Sequence, residues 1–181
     1  MSQNMENAGD NKEKAEKTYH MGDFQFRKAE WELLPRGRSW ILGVYSSFTY
    51  DAASGTYGSL IYDSAYHSLF IGQLLTLFGN ADYLTENNEN LLSYAIEAKR
   101  DDGEIIYLEV YYGPSGPAIG GIASEEIYTN AAKELSKLIM DAEPTDFEIS
   151  STYEDVGCSV IMGVKNGKPY YEDTSPEEID W

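Results

Sequence analysis

The chain has a single cysteine, Cys158, only two histidines, and no basic side chain between Arg38 and Lys99. One thiol can close no internal disulfide and cannot assemble a cysteine-based zinc site, so a reducing compartment is the simplest reading. Long apolar runs are missing too. The longest, Leu69 to Phe78, is interrupted by Gly72, Gln73 and Thr76, too short and too mixed to cross a bilayer. From Met1 to Lys17 the chain is polar throughout and lacks the apolar core of a secretory signal. The expectation is a cytoplasmic protein that makes no use of a membrane.

What is present in excess is acid. The chain of 181 residues carries 31 Asp and Glu against 13 Lys and Arg, a net charge of -18. The imbalance is uneven: residues 1–38 hold seven acids and seven bases, whereas residues 141–181 hold eleven acids against Lys165 and Lys168 alone. Such a field repels nucleic acid and speeds the encounter with a basic protein, an effect that salt weakens. The 15 tyrosines add apolar area that carries a hydroxyl, useful in cores and at contacts.

The length suits one domain large enough to fold without staples. Residues 1–20 are charged and poor in large apolar groups, so they read as a flexible polar tail, and residues 21–181 as a single domain. Between Asp23 and Leu34 two readings stay open, a strand through Phe24 and Phe26 and a short helix ending before Pro35. Trp40 to Phe48 reads as a strand, with a return strand at Ser59 to Tyr62 after the Gly and Ser cluster. A buried helix follows, capped by Asp63 or Ser64 and stopped at Gly79 and Asn80, with Tyr66, Leu69, Phe70, Leu74, Leu77 and Phe78 at helical spacing.

Leu91–Ala98 and Glu104–Tyr112 flank an Asp-Gly turn, a strong hairpin signal. After a Gly and Pro rich link at 113–121, Ser124 is expected to cap a second, amphipathic helix lined by Ile127, Ala131, Leu135, Leu138 and Ile139, with Pro144 fixing its end. Asp146–Tyr153, Ser159–Lys165 and Lys168–Glu172 read as strands, the last two joined by Asn166-Gly167. Hairpins separated by helices predict an α+β domain: one mainly antiparallel sheet with two main helices packed on it.

Reaction chemistry is sparse. The Gly113–Gly121 string could cradle an anion, but no Lys or Arg occurs between Asp101 and Asn130 and the glycines lack nucleotide-loop spacing, so a sharply turning, closely packed backbone is the plainer reading. Ser115 has no base beside it and no nucleophile elbow around it. His67 is taken as the only histidine of the folded part and as structural. Cys158 has no basic neighbour to lower its pKa. The neighbouring carboxylate pairs lack the separation and distinct environments of a glycosidase pair, and Asn87-Asn88-Glu89-Asn90 lacks the spaced Asp ligands and central Gly of a calcium loop, so neither metal nor cofactor is expected. The acid and aromatic combination near the C-terminus remains: Glu154, Asp155, Tyr170, Tyr171, Glu172 and Asp173, read either as a partner-binding surface or as a solvated edge hairpin with its tyrosines on the core.

A short, acidic α+β domain with one Cys, many Tyr and the string YYGPSGPAIGG at Tyr111–Gly121 resembles, in overall type, the bacterial immunity proteins of polymorphic or contact-dependent toxin systems. That resemblance implies a non-enzymatic protein that neutralises a cognate toxin domain by stoichiometric binding, and it carries over no functional residue. Two alternatives stand beside it: a phage-type DNA mimic that inhibits a nuclease or DNA-binding protein, and a small hydrolase or transferase using the 113–121 loop with Ser115 or His67.

Overall fold

Alternating apolar residues on both sides of Arg100-Asp101-Asp102-Gly103 fold as the pattern demands. In the computed structural model, strands β7 (Leu92–Arg100) and β8 (Ile105–Gly113) form an antiparallel hairpin in which Tyr94 faces Val110 and Ile96 faces Leu108. The structure describes residues 17–45, 50–51, 56–57, 65–84, 92–113, 116–153 and 158–173. Around the hairpin lie β1 (Tyr19–Met21), β2 (Phe24–Lys28), β3 (Ser39–Gly43) and β9 (Gly116–Gly121), in the order β1-β2-β7-β8-β9-β3, with β6 (Tyr83–Leu84) pairing with the start of β7 beside β2. Every pairing is antiparallel. Residues Tyr19 and His20, expected in the tail, thus belong to β1. Both readings of 23–34 hold in succession, since β2 is followed by a 3₁₀ turn at Trp31–Leu33. A two-residue ladder joins β4 (Tyr50–Asp51) to β5 (Thr56–Tyr57), and the return strand expected at 59–62 lies outside the described residues.

The stretch 113–121 is no link. It holds β9, an inner strand between β8 and β3. Its composition hides this, because Gly and Pro are depleted in strands. Gly116, at φ 90°, closes the tight return from Gly113, and a Cβ on Gly121 would lie 2.7 Å from Tyr128 and 3.2 Å from Leu108. The glycines are there because β9 is crowded.

Helix α1 (Ala65–Phe78) buries Ser68, Phe70, Ile71, Gly72, Gln73, Leu74, Leu77 and Phe78, so it is apolar nearly all round and needs cover on more than one side. Helix α2 (Glu126–Asp141) is amphipathic and buries Tyr128, Ala131, Ala132, Leu135, Ser136, Leu138 and Ile139. Its N-cap is Glu125 and not Ser124, because the Glu125 N–H donates to the Ile122 carbonyl at 3.0 Å, closing a turn that contains Ser124. The Gln73 side chain ties the helices together: its Nε2 donates to the carbonyls of Met140 and Ala142, both at 3.1 Å, while Tyr45 donates to its oxygen.

A single sheet was expected. Instead β10 (Phe147–Tyr153), β11 (Cys158–Lys165) and β12 (Lys168–Asp173) form a separate three-stranded antiparallel sheet, order β10-β11-β12. The apolar girth of α1 explains it. One side of the helix meets the main sheet, with Phe78 packed on Tyr94 and Tyr19, and another meets the small sheet, where Gly72 accepts from the Thr145 N–H and sits against Val164. The domain is α+β, two helices packed against a mainly antiparallel sheet with a small sheet behind them.

The Asn166-Gly167 turn has both residues at positive φ, 55° and 77°, as a primed hairpin turn requires. Lys165 and Lys168 face each other across it, a repulsive pair. Asp146 offsets this by accepting the N–H groups of Asn166 at 2.8 Å and Gly167 at 3.1 Å. These two hydrogen bonds, Gly167 first, hold its carboxyl below the ordinary 3.8. A depressed folded-state pKa adds stability that is present above the unfolded value and is lost as pH falls through the folded one. Asp146→Ala should therefore lower the melting temperature at pH 7, and the difference from the parent should vanish as thermal scans are taken well below pH 3.8. Gly121→Ala should cost about 1–3 kcal/mol through overpacking, seen as a lower urea midpoint at constant slope.

Candidate functional site

The charge asymmetry of the sequence has a structural answer. Bases of the N-terminal segment reach acids of the base-poor middle: Arg27 grips Glu97 with two contacts of 3.0 Å, Arg38 Nε donates to Glu109 at 2.7 Å, Lys28 lies 3.7 Å from Asp82, and His20 lies 3.2 Å from Asp101. Glu97 and Glu109 are buried on the face of the main sheet opposite the helices, where a carboxylate survives only when paired. The same contact raises the Arg27 pKa further, chiefly through its hydrogen bond to Glu97. The acidity of the middle segment is therefore partly cancelled in the fold. Among the described residues of 141–181, no acid is held in an ion pair.

Strand alternation sorts the small sheet into two faces. Phe147, Ile149, Met162, Val164 and Tyr171 pack inward on the core. The other face presents Glu148, Ile161, Gly163, Tyr170 and Glu172, in rows Glu148-Gly163-Tyr170 and Ser150-Ile161-Glu172. Gly163 leaves room for the Tyr170 ring, since a Cβ there would lie 2.6 Å from the Tyr170 hydroxyl and against the Phe147 carbonyl. Across that glycine the Tyr170 hydroxyl donates to Glu148 Oε2 at 2.5 Å, and the Tyr170 carbonyl accepts from Ser68 Oγ at 2.6 Å. The ring is thereby fixed at the surface, between two exposed carboxylates and beside the half-buried Ile161.

Of the six expected partner-binding residues, Tyr170 and Glu172 share this exposed face. Tyr171 is turned inward and takes no part, because its register opposite Met162 places it on the core side. Asp173 pairs in register with Val160, and Glu154 and Asp155 lie outside the described residues. Glu148 and Ile161 were missed. Alternation along Phe147-Glu148-Ile149 and Val160-Ile161-Met162 marks both as outward, but only the pairing of β10, β11 and β12 brings them beside Tyr170.

The other candidates fare as follows. His67 has a partner after all: its Nδ1 lies 2.8 Å from the Tyr112 hydroxyl, the rings meet edge to face, and burial lowers its pKa. It is also not the only histidine of the fold, His20 being on β1. Ser115 lies outside the described residues, and Cys158 opens β11 opposite Tyr153. Gly116–Gly121 is committed to ladders with β8 and β3, so its backbone is not free to cradle an anion as a loop would be. Among the described residues no group of three or more His, Cys, Asp and Glu is placed to hold a metal, and no helix is long and apolar enough to cross a membrane.

Comparison with protein-family models, with curated proteins and with solved structures finds no match to this chain.

The Tyr170 to Glu148 contact has a direct readout. The acceptor carboxylate, together with smaller effects of desolvation and nearby charge, pushes the phenol up to about 12. In an alkaline titration followed by tyrosine NMR, Tyr170 should ionise after the ordinary phenols, and Glu148→Gln should bring it back toward them.

Proposed function

We propose that this chain is a binding protein that neutralises a cognate toxin by one-to-one association, with the outer face of β10-β11-β12 meeting a basic surface of that toxin. The observation that carries the reading is the Tyr170 ring locked between Glu148 and Glu172 on an exposed sheet, in a chain of net charge -18. Aromatic anchors dominate the energy of protein contacts, and one already held in place loses little entropy on binding. The carboxylates beside it steer a cationic partner and reject polyanions. Neither task calls for catalysis, metal or cofactor. Cytoplasmic residence, expected from the sequence, places such an inhibitor where a toxin delivered into the cell would act.

Recovery of a stoichiometric, nuclease-resistant protein from a lysate of the source cell would supply the partner for kinetic work. With that protein purified, the association rate should fall as salt is raised. Charge reversal at Glu148 and Glu172 together should slow association about tenfold or more, whereas Ile161→Asp should mainly speed dissociation. A partner bound equally well by the reversed variant would remove this face from the contact. Retention of many unrelated DNA-binding proteins in place of one partner would favour DNA mimicry.

A further inference from the structure

We propose that the groove running along α2 is a binding site for a small amphipathic anion, a single carboxylate or sulfonate head on an apolar body. The groove has a volume of about 690 Å³, shares no lining residue with the face described above, and is bounded by the β1–β2 turn, by β3 and by α2. That size falls within the roughly 300–1,000 Å³ of small-molecule sites.

Its apolar part comes from Phe24, Leu42, Met140 and Trp40. Phe24 is buried and Leu42 half-buried, but Trp40 is 58% exposed, the most exposed of the large apolar side chains described. An indole left this open in a cleft offers a ring for a ligand to stack on.

Its charged lining is mixed, Arg100, Lys133 and Lys137 standing with Asp23 and Glu134, which leaves one base in excess in a chain of net charge -18. Lys133 and Lys137 both line the groove, one helical turn apart on α2. Lys137 has Glu134 at 3.2 Å, whereas Lys133 has no ion-pair or hydrogen-bond partner among the described residues. Arg100, also in the lining, is already held by Asp102 at 2.6 Å and Glu104 at 2.9 Å, and so is not available for a head group. Like charges at i and i+4 repel, and an anion seated between Lys133 and Lys137 would remove that repulsion while its body covered Trp40. One negative charge fits. A polyphosphate would bring several into a field of net charge -18 against a single unpaired lysine.

The test is a titration of the ¹⁵N-labelled full chain with 1-naphthoate, and in parallel with its neutral isostere 1-naphthamide. The three tryptophan indoles serve as probes. Saturable shifts at the Trp40 indole and at the amides of Lys133 and Lys137, with Trp31 unmoved, are expected, the amide binding about tenfold more weakly. Lys133→Gln and Lys137→Gln lie on a helix surface and should fold normally by circular dichroism, yet together should weaken naphthoate by a similar factor. Equal affinity for acid and amide, shifts centred elsewhere, no saturation at millimolar ligand, or a groove filled by a second copy of the chain in light scattering would each overturn the proposal.

Discussion

The rest of the structure depends on strand β7 being buried on both faces. Every residue from Leu92 to Ala98 is buried, so the sheet around it must be covered twice. On one face Tyr94, Ile96 and Ala98 meet the helices. On the other, Ser93, Ala95 and Glu97 lie beneath the connection from β2 to β3, which has to pass over β7, β8 and β9 to reach the far end of the sheet. The 3₁₀ turn lies against β7, and Arg38 closes on Glu109 as the chain arrives. Small residues at 93, 95, 118 and 120 make room for it.

That crossing also places the charges. Arg27 and Arg38 stand at its two ends and meet buried carboxylates 70 and 71 residues away in sequence. A chain with so few bases uses them where an unpaired carboxylate would be most expensive, inside the covered face. Exposed acids such as Glu148 and Glu172 stay in water, where they cost little and act at a distance. The net charge alone does not describe this surface. Its distribution does, with exposed carboxylates beside Tyr170 on the small sheet and, in the groove along α2, a lysine that has no ion pair among the described residues.

Layering sets the two candidate sites apart. Because α1 is apolar on several sides, the last three strands pack behind it as their own sheet, which frees one face of that sheet for solvent. Because α2 is amphipathic and lies across the main sheet, its polar side and the sheet's exposed rim enclose a groove. Gly72 and Gly121 mark places where these layers approach closely, each with a neighbour inside ordinary Cβ contact distance.

The sequence by itself determined the parts whose signal is local. Helical spacing named α1 and α2, Asp102-Gly103 and Asn166-Gly167 named two hairpins, and composition gave an acidic α+β domain. Within the candidate site it gave Tyr170 and Glu172, because they sit in a recognisable strand. Only the tertiary structure decided that the Gly and Pro rich stretch is an inner strand, that the sheet divides in two, that Tyr171 faces inward and Tyr170 outward, and that Glu148 and Ile161 join it. It also decided which acids are cancelled and that Lys133, Lys137 and Trp40 share a groove. The physical reason is range. Turn chemistry and periodicity act over a few residues, whereas strand register and ion pairing are set by partners dozens of residues away, chosen by which surfaces had to be covered.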